Sequence, residues 1–160
     1  MTQISDLPLR HALMLRVCPW RRIDPVPLAR LAKPLPASRV ALVTTSGLVP
    51  PLERPFDPEV KGGDFSFRVI RADANVRALE EHHRSETFDH SGIQRDPNVA
   101  FPLDRLRELG AAGEIGEVAP RHLSFMGSIT APGRLAKRTA PEAAQLLVAD
   151  QIDLALLFPV

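Results

Sequence analysis

The chain has 160 residues, enough for one domain with a core of its own. Apolar residues make up 44% and charged residues 24%, the balance of a globular protein, and a net charge of +1 argues against nucleic acid or an anionic membrane as the main partner. No apolar stretch reaches bilayer-spanning length, and MTQISDLPLRHALMLRV carries Asp6 and Arg10 where a signal peptide needs a clean apolar run, so a cytoplasmic protein is expected. Cys18 is the only cysteine, which rules out an internal disulfide, a paired-cysteine redox motif and a cysteine-rich zinc site. Beside Pro19 and Trp20 it reads as a buried or incidental thiol.

Residues 1–37 read as a proline-rich entry segment. LRHALMLRV gives a short helix with Leu9, Ala12, Leu13 and Leu15 on a partial face, and PWRRIDPVPLARLAKPLP then breaks regular structure repeatedly. Residues 38–160 carry the domain. Val40-Ala41-Leu42-Val43 is a short apolar run, as in a strand covered on both faces, and Thr44-Thr45-Ser46-Gly47 follows at its carboxyl end. LVPPLERPFDPEVKGG is loop, and Phe65 to Ile70 is a second strand. NVRALEEHHRS predicts a short helix capped by Asn75, and FDHSGIQRDPN has turn chemistry throughout. Leu103, Leu106 and Leu109 define a helix that Gly110 or Gly113 ends. EVAPRHLSFMGSIT reads as a short strand and then a loop. Thr139 and Glu142 have capping-box spacing with Pro141 in the first turn, and the apolar run Leu154 to Phe158 closes the chain as a buried strand. Alternating strands and helices predict an α/β domain. Its sheet is mostly parallel with flanking helices, a Rossmann-like or flavodoxin-like three-layer arrangement, incomplete at its C-terminus.

Several stretches can carry chemistry. Thr44, Thr45 and Ser46 stand where a parallel sheet places ligand contacts, though hydroxyls there also satisfy loop backbone. The turn lacks the glycines of a dinucleotide fingerprint and the lysine of a P-loop. His82 and His83 point apart on a helix and read as a solvated helix end. Asp89 can orient His90 in a turn open to a cleft. Arg95 and Arg121 have the planar fork that suits a substrate carboxylate; a surface ion pair is the alternative for Arg95. His122 sits beside Arg121 and Ser124, with no nucleophile-elbow pattern around the serine. The histidines match no metal-binding template, so no metal is expected.

Three stretches taken together resemble the glycine/sarcosine/betaine reductase and D-proline reductase selenoprotein B family: SRVALVTTSGLV, GDFSFRVI with FDHSGIQRDPNVAFPLDRLRELGAAGEIGEVAPRHLSFMG, and TAPEAAQLLVADQIDLALLFPV. Asp89-His90-Ser91, Arg95-Asp96-Pro97-Asn98, Phe101-Pro102-Leu103-Asp104-Arg105-Leu106 and Pro120-Arg121-His122 carry the match, which covers roughly residues 38–160. In that family a strand ending in Pro-Val is followed by a redox motif whose first position is selenocysteine or cysteine. The resemblance therefore implies a selenocysteine just after Val160, encoded by a UGA codon that ordinary gene calling reads as a stop. The complete protein would be a subunit of a reductase that cleaves a carbon–nitrogen bond in an amino acid or amine derivative. A pyruvoyl group on a partner subunit would hold the substrate amine, and a thioredoxin-type or other dithiol donor would supply electrons. His90 and His122 would transfer or polarise protons, Asp89 would orient His90, and Arg95 or Arg121 would meet a carboxylate. Thr44, Thr45 and Ser46 would line the cleft floor. Two rival readings are a non-catalytic α/β binding or assembly module and a lyase or hydrolase using the same His, Asp and Arg loops.

Overall fold

Strand β1 (Arg39–Thr44) organises the sheet, because it pairs with three of the other strands. The computed structural model describes residues 8–17, 23–85 and 89–160, so Cys18 lies outside the described residues. The chain divides into two compact units, Met1–Arg30 and Leu31–Val160. In the first, helix α1 (Leu9–Val17) forms over the predicted stretch. The second holds the sheet.

Along one side of β1 runs β7 (Leu154–Phe158), parallel and in continuous register from Val40↔Leu154 to Thr44↔Phe158. Along the other side run β5 (Glu117–Val118), opposite Arg39 and Val40, and β6 (Arg121–Phe125), opposite Val43 and Thr44. β3 (Phe67–Arg71) pairs antiparallel with β6. The sheet is thus mixed but mostly parallel, as expected. A two-residue ribbon of β2 (Leu48–Val49) and β4 (Glu80–Glu81) lies apart from it.

The residues of β1 alternate between two packed faces. Val40 and Leu42 join Ile70, Phe101, Leu103 and Leu106 on the face covered by helix α3 (Leu103–Ala111). Val43 joins Leu123, Phe125, Ala143, Leu146 and Leu147 on the face covered by helix α4 (Ala140–Ala149). Helices on both faces make the three layers. Leu42 is fully buried, and truncating such a side chain to alanine costs roughly 2–5 kcal/mol.

Two helix ends follow the same chemistry with different residues. After α3, Gly113 adopts φ 74°, its N–H reaches the Gly110 carbonyl, and the Glu114 N–H reaches that of Leu109. These paired bonds satisfy carbonyls that the last turn leaves open. After α4, Gln151 takes the same left-handed position at φ 55°, with Gln151 bonding Val148 and Ile152 bonding Leu147. A glycine is absent there, so the turn carries side-chain strain.

The structure corrects several expectations. Asn75 does cap a turn, its Oδ1 accepting the Arg77 N–H, but the turn lasts only from Val76 to Ala78 and the chain then extends into β4. The pairing of Val49 with Glu80 and Leu48 with Glu81 holds it extended. Residues 121–125 form a strand, not a loop. His122 and Ser124 look polar, yet both are buried between a fully paired neighbour and α3. FDHSGIQRDPN contains helix α2 (Ser91–Arg95) and a 3₁₀ turn over Pro97–Val99. The Thr139 capping box does not form. A π-helical turn over Leu135–Thr139 runs straight into α4, and the Thr139 hydroxyl instead donates to the Phe65 carbonyl at 2.6 Å. Finally, β7 is a sheet edge, with Leu157 70% exposed, rather than a buried strand.

His122 has a structural place in this core. Between β5 and β6 the Ala119–Pro120 step interrupts the ladder, and the Leu42 N–H donates to His122 Nδ1 at 3.0 Å. That bond leaves Nε2 as the protonated nitrogen, packed edge-on near the Phe101 ring with no hydrogen-bond partner among the described residues. Burial pushes its pKa down from 6.5 to about 4.

Gln151→Gly relieves the left-handed turn and is expected to raise stability by roughly 0.5–1 kcal/mol, read by thermal unfolding. Native His122 refuses a proton that the unfolded chain accepts between about pH 4 and 6.5, so stability rises with pH across that window and is fully present above it. The rise attributable to His122 is on the order of 3 kcal/mol. Asparagine can offer an oxygen to the Leu42 N–H without titrating. Urea unfolding of His122→Asn across this pH range should show a flatter dependence than the parent protein.

Candidate active site at the carboxyl edge of the sheet

The carboxyl ends of β1, β6 and β7 converge on one rim. Thr44 Oγ1 and Ser46 Oγ lie 2.8 Å apart, and the Ser46 N–H donates to Thr44 Oγ1 at 3.2 Å. Both side chains are buried, so they brace the turn out of β1 and expose no hydroxyl to a cleft. Thr45 faces β7: its N–H donates to the Phe158 carbonyl, and its Oγ1 accepts the Val160 N–H at 2.9 Å. Gly47 joins three segments, its N–H donating to the Phe125 carbonyl and its carbonyl accepting the His82 N–H, both at 2.9 Å.

Against this rim lies a cluster of Glu81, His83 and His90. Glu81 ends β4, and its carboxylate accepts the His83 N–H at 2.9 Å and His90 Nδ1–H at 2.9 and 2.8 Å. The His90 Nε2–H donates to the Ser85 carbonyl at 3.1 Å. His83 and His90 rings meet edge-on with centroids 6.2 Å apart. The hydrogen bond to Glu81 raises the pKa of His90, and burial lowers that of His83. Neighbouring rings therefore differ in charge preference.

Two glycines admit the His83 segment. Gly47 has φ 69°, and a Cβ there would stand 2.7 Å from the His83 nitrogen. Gly127 has φ 71°, and a Cβ there would overlap the Thr45 carbonyl oxygen and lie 2.7 Å from His83 Nε2. Both positions are left-handed and crowded, so only glycine fits. Next to them an apolar pocket of about 370 Å³ opens among Val43, Thr45, Phe125, Gly127, Ile129 and Leu157.

The expected site residues scatter around this geometry. His90 belongs to the cluster. Asp89 does not orient it: the Asp89 carboxylate accepts the Ser91 N–H at 3.0 Å and opens α2, while Glu81 holds the imidazole. Arg95 folds back on its own helix, bonding the Ser91 carbonyl and hydroxyl, and is exposed. Arg121 begins β6, so it stands at the amino edge of the sheet, where it grips both oxygens of Asp150 at 2.8 and 2.6 Å. His122, one residue on, points into the core. These two residues are thus remote from the rim along the strand. A hollow at the amino edge, lined by Lys33, Arg39, Glu117 and Asp153, has its charges paired internally, Lys33 with Asp153 and Arg39 with Glu117. Among the described residues no group of histidine, cysteine and carboxylate side chains has the geometry to hold a metal. Sequence reasoning missed Glu81 and set His83 aside as part of a solvated helix end. Their signal was an acidic residue two positions before a histidine in extended chain, which a helical reading of the segment hides.

The tightness at Gly127 is testable. Gly127→Ala adds strain at a left-handed residue and a clash with Thr45, and should lose roughly 2 kcal/mol or more in urea unfolding. Gly133→Ala, where a Cβ meets nothing within 4 Å, should stay close to the parent.

A family model described as glycine/sarcosine/betaine reductase selenoprotein B matches residues 16–159. The D-proline reductase subunit gamma of Acetoanaerobium sticklandii is 35% identical over 96% of this chain and 61% of its own length. The sarcosine reductase complex component B subunit beta of Peptoclostridium acidaminophilum is 27% identical over 87% of this chain and 32% of its own. The glycine reductase complex component B subunit gamma of Carboxydothermus hydrogenoformans is 29% identical over 80% of this chain and 29% of its own. The chain thus spans less than two thirds of each of these relatives. No solved structure matches it. Most of the second unit, from the sheet's central strand to its edge, lies within the matched span, and the chain belongs to the glycine/sarcosine/betaine reductase selenoprotein B family.

Proposed function

We propose that the chain is part of a subunit of a selenol- or thiol-dependent reductase that cleaves a carbon–nitrogen bond in glycine, a glycine derivative or D-proline. The observation that carries this reading is the family match across the whole sheet, together with the rim on which β1, β6 and β7 end. Open α/β sheets bind ligands outside the carboxyl ends of their strands. In this sheet that edge holds Thr45, the Glu81–His90 pair and an apolar pocket.

On this reading the redox nucleophile follows Val160, just beyond β7. Val160 is tied to Thr45 Oγ1, so a residue following it would enter the rim beside the histidine cluster. Among the described residues there is no cysteine to take that role. A substrate amine held by a pyruvoyl group on a partner subunit, and a thioredoxin-type or other dithiol electron donor, complete the proposed complex. No helix among the described residues is long and apolar enough to cross a membrane.

The DNA that follows the Val160 codon tests the placement. An in-frame UGA leading into codons for a cysteine-containing motif and a helix is expected. A UAA or UAG, or a UGA without coding continuation, overturns it. The activity is tested with the assembled complex, a dithiol donor and glycine, sarcosine, betaine or D-proline in turn. Donor-dependent consumption of one of them is expected, and no consumption of any overturns the reductase reading.

A further inference from the structure

We propose that Glu81 is a positioning residue that fixes His90 as a doubly protonated ring and thereby makes it a proton donor at the carboxyl edge; the donor role rests on the reductase reading above. The evidence is the pairing of both ring nitrogens. Nδ1 faces the two Glu81 oxygens at 2.9 and 2.8 Å, and Nε2 faces the Ser85 carbonyl at 3.1 Å. A carboxylate and a carbonyl only accept, so each nitrogen presents a hydrogen and the ring is an imidazolium. Bonds from an imidazolium to a carboxylate are among the stronger ones in proteins.

The charged and titratable neighbours agree with this state. From β4 comes Glu81, whose side chain is 13% exposed and whose position is set further by the His83 N–H. From the segment before α2 comes Asp89, occupied by the Ser91 N–H. The facing ring, His83, accepts the Ser85 N–H at Nδ1 at 3.2 Å and so is neutral, adding no opposing cation. Ser85 serves both histidines: its N–H demands a bare nitrogen on His83 and its carbonyl demands a protonated one on His90.

Such a ring has a use in carbon–nitrogen reduction. The net reaction converts a carbon–nitrogen bond and two thiols into a carbon–hydrogen bond, a nitrogen–hydrogen bond and a disulfide. Both electrons come from the thiol pair, and one proton ends on carbon and one on nitrogen. His90 gives up its Nε2 proton, releasing the Ser85 carbonyl, and regains a proton there from the thiols, while Glu81 keeps its hold on Nδ1–H.

Histidine side-chain NMR of the full chain tests the assignment. In the parent protein His90 should titrate above 6.5, the ordinary histidine value. Glu81→Gln should lower its midpoint by about one pH unit or more, Glu81→Asp should restore part of the shift, and Asp89→Asn should leave it nearly unchanged. His122 titrating far below the others in every variant reports that the core has stayed folded. A parent midpoint at or below 6.5, or a Glu81→Gln midpoint equal to the parent's, overturns the proposal. So does a larger effect from Asp89→Asn than from Glu81→Gln. In the assembled complex Glu81→Gln should reduce turnover most on the alkaline side. These titrations read the Glu81–His90 pair without any substrate, so their failure is separate from a failure of the complex to reduce an amine.

Discussion

The fold depends on β1 being paired along both sides, and one of those pairings is completed by a side chain. β7 matches β1 residue for residue, but the strand on the other side breaks at Ala119–Pro120. Leu42 is buried there, and an orphaned amide in such a place is costly. His122 closes the ladder with its imidazole, which must be neutral to do so. This explains how a polar Arg-His-Leu-Ser-Phe run can lie in a sheet interior. The histidine acts as a substitute backbone acceptor, and its neighbours Leu123 and Phe125 face the opposite layer.

The same logic separates family motifs that shape the fold from those that shape the rim. Asp96 and Asn98 form a small network: the Asp96 carboxylate accepts from the Asn98 main chain and amide, and Asn98 Oδ1 accepts the Asp104 N–H at the start of α3. Arg107 on that helix donates to the carbonyls of Ala72 and Ala74 after β3. These residues lock α3 onto the sheet. His90 lies one short helix away, and its partner comes from β4. This stretch of sequence therefore mixes caps and braces with the groups that face the rim.

Much of the architecture was legible because the strongest signals were local. The apolar run 40–43, the leucines of α3 and the glycine after it act over a few residues, and each appears where its pattern places it. What was hidden depends on pairing across the chain. Glu80-Glu81 has no strand-like composition and becomes extended only opposite Val49 and Leu48. Once it does, His83 is seated on Gly47 and Gly127, residues far from it in sequence. Thr139 has the spacing of a cap, but the Phe65 carbonyl takes its hydroxyl. At the rim, Thr44 to Ser46 stand at the carboxyl end of β1, but Thr44 and Ser46 are buried through a mutual hydrogen bond that no spacing rule contains. Arg121 was misplaced because it reads as loop after a short strand, whereas it opens β6, and a strand parallel to β1 puts its first residue at the amino edge.

The two edges of the sheet are fastened by different forces. At the amino edge, Lys33–Asp153, Arg39–Glu117 and Arg121–Asp150 are ion pairs, and the first and last of these bind carboxylates that are largely shielded. At the carboxyl edge the ties from Thr45 to β7 and from Gly47 to β6 are neutral hydrogen bonds. Dissolved salt weakens the former and leaves the latter nearly untouched. Ionic strength therefore acts unevenly on the strand ties: it loosens those at the base of the sheet and spares the neutral ones at the rim, beside which the Glu81–His90 pair is a charged contact that salt can reach.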